Sequence, residues 1–486
     1  MTTGALQGLL SWQLERTFCE AVAARFGAPT ATLTLWLLAG SAGMFHAATA
    51  FLPSTFTMLA VLAVWTAWLG GAYGPAIAIA CYTILLVWPF SVLLYVPLGL
   101  AALFAPTFGL VKVLRWGIGS SLLLAGVDAG YNSLYCKFIG YGRPFRRFND
   151  PSSHKQSAVV CGVLSPCFDR LLVVTDGKPL LASWEIFYYN VLQDNGGPEL
   201  YGTEPASFYA VNLALNFNGA FVLAAALPAA LPLAMLFGAG ERQAADGTGG
   251  TASAKEKLLY LAPLYVWFCF YTSLPHKEER FLCPCYPLLC LAAATALGAI
   301  THTWTVLLEV CGAGRGCATG LMSAVTKLAV LSICVASALR GAALYVNYAA
   351  PLHVYGELSA SLAALPPSAP PAVVCVGKEW YRFPSSFFLP EEKFTLSFLH
   401  DGPASQLPQP YSRERGTAVA PPNMNDQNRE EPSRYVAPET CDYLVELLLD
   451  DGNTPEHKLD PLDENVCAYT SNPPWLVYRP SLADCS

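Results

Sequence analysis

The residues of this 486-residue chain best suited to chemistry form one short run, His276-Lys277-Glu278-Glu279-Arg280-Phe281. It brings an imidazole, two cations and two carboxylates together. Lys277 and Arg280 can hold a phosphate, one as a point charge and the other as a planar fork. A carboxylate and His276 can then orient sugar hydroxyls. The plain alternative is a solvated turn between two helices, since apolar segments flank the run on both sides. At mid-bilayer each charge would cost about 2.5–3.5 kcal/mol, and the four formal charges about 10 kcal/mol. The run therefore belongs at an interface or against a polar cavity. Residue types alone leave both readings open.

Other signatures of catalysis are missing from the sequence. It has no Asp-x-Asp, the usual metal clamp for nucleotide sugars, no phosphate-binding Gly-x-x-x-x-Gly-Lys, no His-Glu-x-x-His and no Gly-x-Ser-x-Gly. Gly312-Ala-Gly314-Arg-Gly316 follows no strand pattern and reads as a loop. The 16 cysteines lack zinc spacing, Cys283-Pro-Cys285 being the nearest pair, so no metal is expected. Cys375, Cys441 and Cys467 lie in a polar region and can pair if that region is luminal.

The elements that must position the charged run are membrane helices. Hydrophobic residues make up 54% of the chain and charged residues 13%, against about 25% charged in an average soluble protein. Lipid is the simpler solvent for such a chain. Its net charge of −7 is spread along the sequence and suggests no nucleic-acid partner. Residues 1–12 lack the positive region of a signal peptide. Apolar runs at 31–50, 54–70, 208–237, 258–274, 281–300 and 328–346 approach the length of a span, and 114–128 is shorter. The run 74–105 is long enough for a broken pair, interrupted at Trp88-Pro89 and Pro97. With nine crossings, the loops carrying Arg16 and Arg25, Lys112 and Arg115, Arg242 to Lys257, and Arg315 and Lys327 share one side. The positive-inside rule makes that side cytosolic. Four regions result: helices over 1–128, a luminal loop over 129–207, helices with the charged run over 208–346, and a C-terminal luminal domain over 347–486. Short apolar runs such as Val373–Val376 and Tyr443–Leu449 give the last region an α+β character. Residues 238–257 read as a flexible linker.

The block Leu274-Pro-His-Lys-Glu-Glu-Arg-Phe-Leu282, with Pro284-x-Tyr286-Pro287-Leu288 after it, resembles the hallmark of the endoplasmic-reticulum mannosyltransferases that use dolichyl-phosphate-mannose. Three further stretches are similar to the α-1,2-mannosyltransferases that extend the lipid-linked oligosaccharide of asparagine-linked glycosylation. They are Tyr201-Gly-Thr-Glu-Pro205 with Leu215-Asn-Phe-Asn218, Cys375 to Ser386, and Asn423 to Asn428 with Glu431 to Tyr435. The resemblance covers about 14–133 and 178–480. Residues 134–177, with Arg143-Pro-Phe-Arg-Arg147, match no family pattern and read as an insertion.

The resemblance implies a polytopic α-helical membrane protein of the GT-C glycosyltransferase type, multi-pass in the endoplasmic reticulum membrane. The implied donor is dolichyl-phosphate-mannose, and the implied acceptor is a dolichyl-pyrophosphate-linked high-mannose glycan. The β-linked donor and α-linked product imply inversion by single displacement, with a general base on the acceptor hydroxyl and stabilisation of the departing phosphate. No metal cofactor is required. The family's catalytic base belongs to an acidic pair on a luminal loop after a first apolar helix. Both are expected upstream of residue 1, so the catalytic residue is not assigned and this chain is expected to be inactive alone. The substrate-binding residues are expected to be His276, Lys277, Glu278, Glu279 and Arg280, with Tyr201 and Glu204 of the luminal loop beside them. Lys378, Glu379, Trp380 and Arg382 are expected at the acceptor face. The alternatives are a glycosylphosphatidylinositol-anchor mannosyltransferase and a non-catalytic endoplasmic-reticulum membrane protein.

Overall fold

The structure, a computed structural model, describes residues 2–138, 173–175, 178–180, 198–239, 249–364, 366–377, 388–390, 393–400, 406–407, 428–447, 466–469 and 475–478. The chain divides into two compact units, Met1–Arg340 and Gly341–Ser486. Lys378, Glu379, Trp380 and Arg382 lie outside the described residues, as does most of the 134–177 stretch.

The first unit is helical. α1 (Thr2–Phe26) packs on α2 (Ala28–Gly40) and on α4 (Pro53–Leu69). α3 (Ala42–Thr49) bends 66° from α2 at the extended residue Ser41. Proline opens α2 and α4, where a missing N–H leaves no intrahelical bond unmade. The expected break in 74–105 falls at Trp88-Pro89. α5 (Tyr73–Tyr82) widens into one π turn, Trp88 is extended, and α6 (Val92–Phe104) follows a short 3-10 turn. Pro97 does not interrupt; it sits inside α6, as prolines in apolar helices are tolerated when neighbouring helices meet the freed carbonyl. α7 spans Gly109–Phe138, well beyond the apolar run 114–128, and β1 (Val173–Thr175) pairs antiparallel with β2 (Lys178–Leu180).

α8 (Phe208–Phe217) and α9 (Gly219–Leu236) are joined at Asn218. α10 (Ala254–Ser273) starts from a capping box in which the Ser253 hydroxyl accepts from Glu256 N–H and the Glu256 carboxylate accepts from Ser253 N–H. α11 (Tyr286–Val310) is the centre of the unit. Leu288, Cys290, Leu291, Ala292, Ala293, Ala294 and Ala296 are fully buried, so it is covered all round, with α9 and α2 against it. α12 (Arg315–Tyr348) is the opposite case. Leu321, Leu328, Leu331 and Leu339 are exposed along it, an apolar outer face suited to lipid.

Among the described residues three stretches are long and apolar enough to cross a membrane: Gly219–Leu236, Glu279–Val310 and Arg315–Tyr348. The bent α2–α3 pair makes a fourth if taken as one span. Part of the difference from the nine crossings read in the sequence lies in composition, since α7 and α10, with 30 and 20 residues, are long enough, and part lies in helix length. α4, the stretches Tyr73–Val87 and Pro89–Phe104, and α8 are apolar but shorter than 18 residues.

The second unit holds α13 (Ala350–Ala363) and a mixed five-stranded sheet. β3 (Ala372–Val376) lies between β4 (Phe394–Phe398) and β5 (Tyr443–Leu447), parallel to both, with Val376 opposite Phe398 and Val445. β7 (Trp475–Tyr478) pairs antiparallel with β5 and with β6 (Val466–Tyr469). Val354, Tyr355, Leu358 and Leu362, at helical spacing, bury with Val374, Tyr443 and Val445. Cys375 and Cys441, two of the three cysteines able to pair if this region is luminal, form a disulfide.

Candidate functional site

The charged run connects α10 to α11, the most deeply buried helix. Leu274 leaves α10 in extended conformation, and Glu279–Cys285 forms a 3-10 helix that runs into α11 at Tyr286. Aromatic packing fixes it. Phe281 lies 5.9 Å from Trp88 and 5.4 Å from Tyr271 between ring centroids, and its carbonyl accepts from Trp267 Nε1 at 2.8 Å. The extended Trp88 is thus both a helix break and a wall of the site.

The structure brings most of the expected residues together, though in different surroundings. Lys277 is buried, and its Nζ donates to the carbonyls of Glu204, at 2.9 Å, and of Leu274. Glu204 N–H donates to the Pro275 carbonyl at 3.0 Å. His276 Nδ1 lies 2.8 Å from the Gly202 carbonyl, and its Nε2 lies 3.2 Å from Glu278 Oε1. Both partners are acceptors, so a neutral ring satisfies one of them with its single N–H. Arg280 grips Glu278 with both arms of its fork, Nη2 to Oε1 at 2.7 Å and Nε to Oε2 at 2.6 Å. Residues 202–204 thereby stand directly against the charged run. Tyr201 ends a 3-10 turn, Pro198–Tyr201, beside them.

Glu279 points elsewhere, into a polar cluster of residues distant in sequence. Its Oε1 accepts from Asn216 Nδ2 at 2.7 Å and stands 3.3 Å from His46 Nε2 at the end of α3. Asn216 Nδ2 also reaches Asn212 Oδ1, one turn earlier on α8, at 3.3 Å. Asn216 is buried, while the Glu279 side chain is 42% exposed and so open to a ligand. Asn216 Oδ1 and the Tyr271 hydroxyl are buried without a hydrogen-bond partner, groups whose capacity is normally met. The arrangement offers donors and acceptors at short range, as polyhydroxylated ligands require. Sequence reasoning missed His46 and Asn212 as site residues. Their signal is a polar residue inside an apolar helix, sharpest for Asn212 and Asn216 four positions apart. Among the described residues no three of His, Cys, Asp and Glu converge to hold a metal ion.

A sequence model described as the Alg9-like mannosyltransferase family matches residues 2–390. The chain is 34% identical over 449 residues to the mouse (Mus musculus) protein "Alpha-1,2-mannosyltransferase ALG9", covering 91% of this chain and 65% of that protein. It is 30% identical over 448 residues to the Arabidopsis thaliana protein of the same name, covering 91% and 66%. Against the Saccharomyces cerevisiae protein the identity is 32% over 313 residues, covering 61% and 50%. The chain thus spans somewhat less than two thirds of the length of the mouse and plant relatives. No solved structure matches it.

Proposed function

Because the chain belongs to the Alg9-like mannosyltransferase family, we propose that it transfers mannose from dolichyl-phosphate-mannose, in α-1,2 linkage, to the dolichyl-pyrophosphate-linked oligosaccharide of N-glycan assembly. The observation that carries this reading is similarity along 91% of the chain to proteins named as α-1,2-mannosyltransferases. The reaction is an inverting displacement. The acceptor hydroxyl oxygen bonds to the anomeric carbon as the bond to the donor phosphate breaks, and a base takes the hydroxyl proton.

In this proposal Glu279, aimed by Asn216 and His46, accepts hydrogen bonds from sugar hydroxyls. Glu278, Arg280 and His276 form the rim of the site, with Tyr201 and Glu204 beside them. Lys277 holds the 202–204 loop in place. The setting is the endoplasmic reticulum membrane, with the C-terminal unit in the lumen. The Cys375–Cys441 bond supports that side, since disulfides persist in oxidising compartments.

The test is expression of the full reading frame in a yeast strain lacking its own relative, followed by sizing of the lipid-linked oligosaccharides. The expected result is extension of the arrested intermediate by mannose that an α-1,2-specific mannosidase removes. An unchanged intermediate at normal protein level overturns the proposal.

A further inference from the structure

The site's cations are not equally available. Lys277 is directed at two backbone carbonyls, and Arg280 is paired with Glu278 through both arms of its fork. A third cation, Arg340, lies on α12 and belongs to no motif read in the sequence. Ile333, Ser337 and Arg340 follow one another at helical spacing and share one face. Ile333 and Ser337 are buried. Asn218 Nδ2 reaches the Ile333 carbonyl at 3.4 Å and the Ser337 hydroxyl at 3.1 Å. That face is therefore turned towards the α8–α9 junction, two residues from Asn216 and its bond to Glu279. Of the groups that act on the Glu279 carboxylate, Arg340 contributes the least. Its Nε is buried without a hydrogen-bond partner, and among the described residues it pairs with no carboxylate.

A guanidinium placed in an apolar helix is costly unless an anion or a polar cavity receives it. Its planar fork of N–H donors suits the oxygens of a phosphate. We propose that Arg340 is the anion-binding residue of this site and receives the phosphate of a polyprenyl-phosphate-linked substrate. The proposal deepens the transferase reading by moving the phosphate contact from Lys277 and Arg280 to a residue outside the charged run. The same chemistry is offered by the monophosphate of a donor lipid and by the pyrophosphate of an acceptor lipid.

The experiment is binding to the purified full-length protein in detergent, read as thermal stabilisation and as dissociation constant, with no turnover required. The probes are a short polyprenyl phosphate, the matching pyrophosphate and the unphosphorylated prenol. Wild-type protein is expected to prefer a phosphorylated probe to the prenol. Arg340→Gln should weaken binding of that probe by about ten- to a hundredfold, as loss of a charge-assisted bond implies, and leave the prenol unaffected. Preference for the monophosphate assigns Arg340 to the donor, and preference for the pyrophosphate assigns it to the acceptor lipid. Undiminished binding of the phosphorylated probe by Arg340→Gln overturns the proposal, and so does equal weakening of probe and prenol. If Arg340→Gln does not fold, Arg340→Lys decides. It keeps the charge without the fork, so several-fold weaker binding supports the assignment and wild-type affinity overturns it. Because binding is read directly, a failure of mannose transfer leaves this result interpretable.

Discussion

Lys277 donates to the carbonyl of Glu204 at 2.9 Å, across 73 residues of sequence. The Glu204 N–H returns a bond to Pro275 at 3.0 Å, so two loops on either side of the α8–α10 segment are tied at neighbouring points. A buried ammonium that answers two carbonyls is a structural fastener.

Lys277→Met should therefore act on stability first. It leaves two carbonyls without their partner, at about 1–3 kcal/mol each where water cannot reach them. The expected outcome is a melting temperature lowered by several degrees, with the KM for dolichyl-phosphate-mannose in the surviving folded fraction close to wild type. A wild-type melting curve combined with a raised donor KM would return Lys277 to the phosphate.

Glu279→Ala should act on transfer instead. It removes the acceptor that Asn216 and His46 address and a charge-assisted contact to substrate worth about 1.5–3 kcal/mol, or roughly ten- to a hundredfold in kcat/KM. Glu279→Gln keeps an oxygen for Asn216 and should retain more activity than alanine. Asn216→Ala should lower kcat/KM by a smaller factor, because it acts by orienting Glu279. Wild-type kinetics in Glu279→Ala would mean that the cluster serves packing alone.

The Glu278–Arg280 pair should matter little for stability. Both side chains are partly solvated, Arg280 at 46% and Glu278 at 33% exposure, and pairs of that kind contribute about 0–1 kcal/mol. Glu278→Ala is expected to leave the melting temperature within a degree or two of wild type. A larger fall would place the pair among the fasteners of the run.

The disulfide yields a prediction for the C-terminal unit. Cys375 and Cys441 are 66 positions apart, and closing a loop of that length is worth about 4 kcal/mol in the chain-entropy account. The Cys375→Ser, Cys441→Ser double variant should lose protease resistance in fragments from 341–486 while fragments from 1–340 stay protected. In sealed microsomes, a membrane-impermeant maleimide added after detergent and reductant should label both cysteines, and it should label neither before. Labelling of either in sealed, unreduced vesicles would contradict both the bond and the luminal placement.

The fold was legible where hydrophobicity is continuous and the site where charge interrupts it. The charged run stands out because ionisable residues between apolar segments are expensive, and the break at Trp88-Pro89 follows from proline chemistry. Strands β3 and β5 appear in the sequence as short apolar runs between turn residues. Asn212 and Asn216 were harder to see, because asparagines in a short helix signal nothing until α3 and the 3-10 helix are brought beside them. The surroundings of Lys277 were not legible at all. A lysine that reaches phosphate and a lysine that reaches a carbonyl look the same in sequence, and only the position of Glu204 separates them. Arg340 was hidden for a related reason, since its face of α12 is defined by contacts with Asn218.

Asn218 joins α8 to α9 with φ 41° and ψ −118°, a backbone region that strongly favours glycine. Its side chain accepts from Gly219 N–H at 2.7 Å and donates to α12. Glycine would fit the backbone and lose the tether, whereas aspartate would keep the helix cap and turn an acceptor towards the Ile333 carbonyl. In a saturation library this position should therefore be among the narrowest in the chain, with asparagine alone meeting both demands and glycine the least damaging replacement.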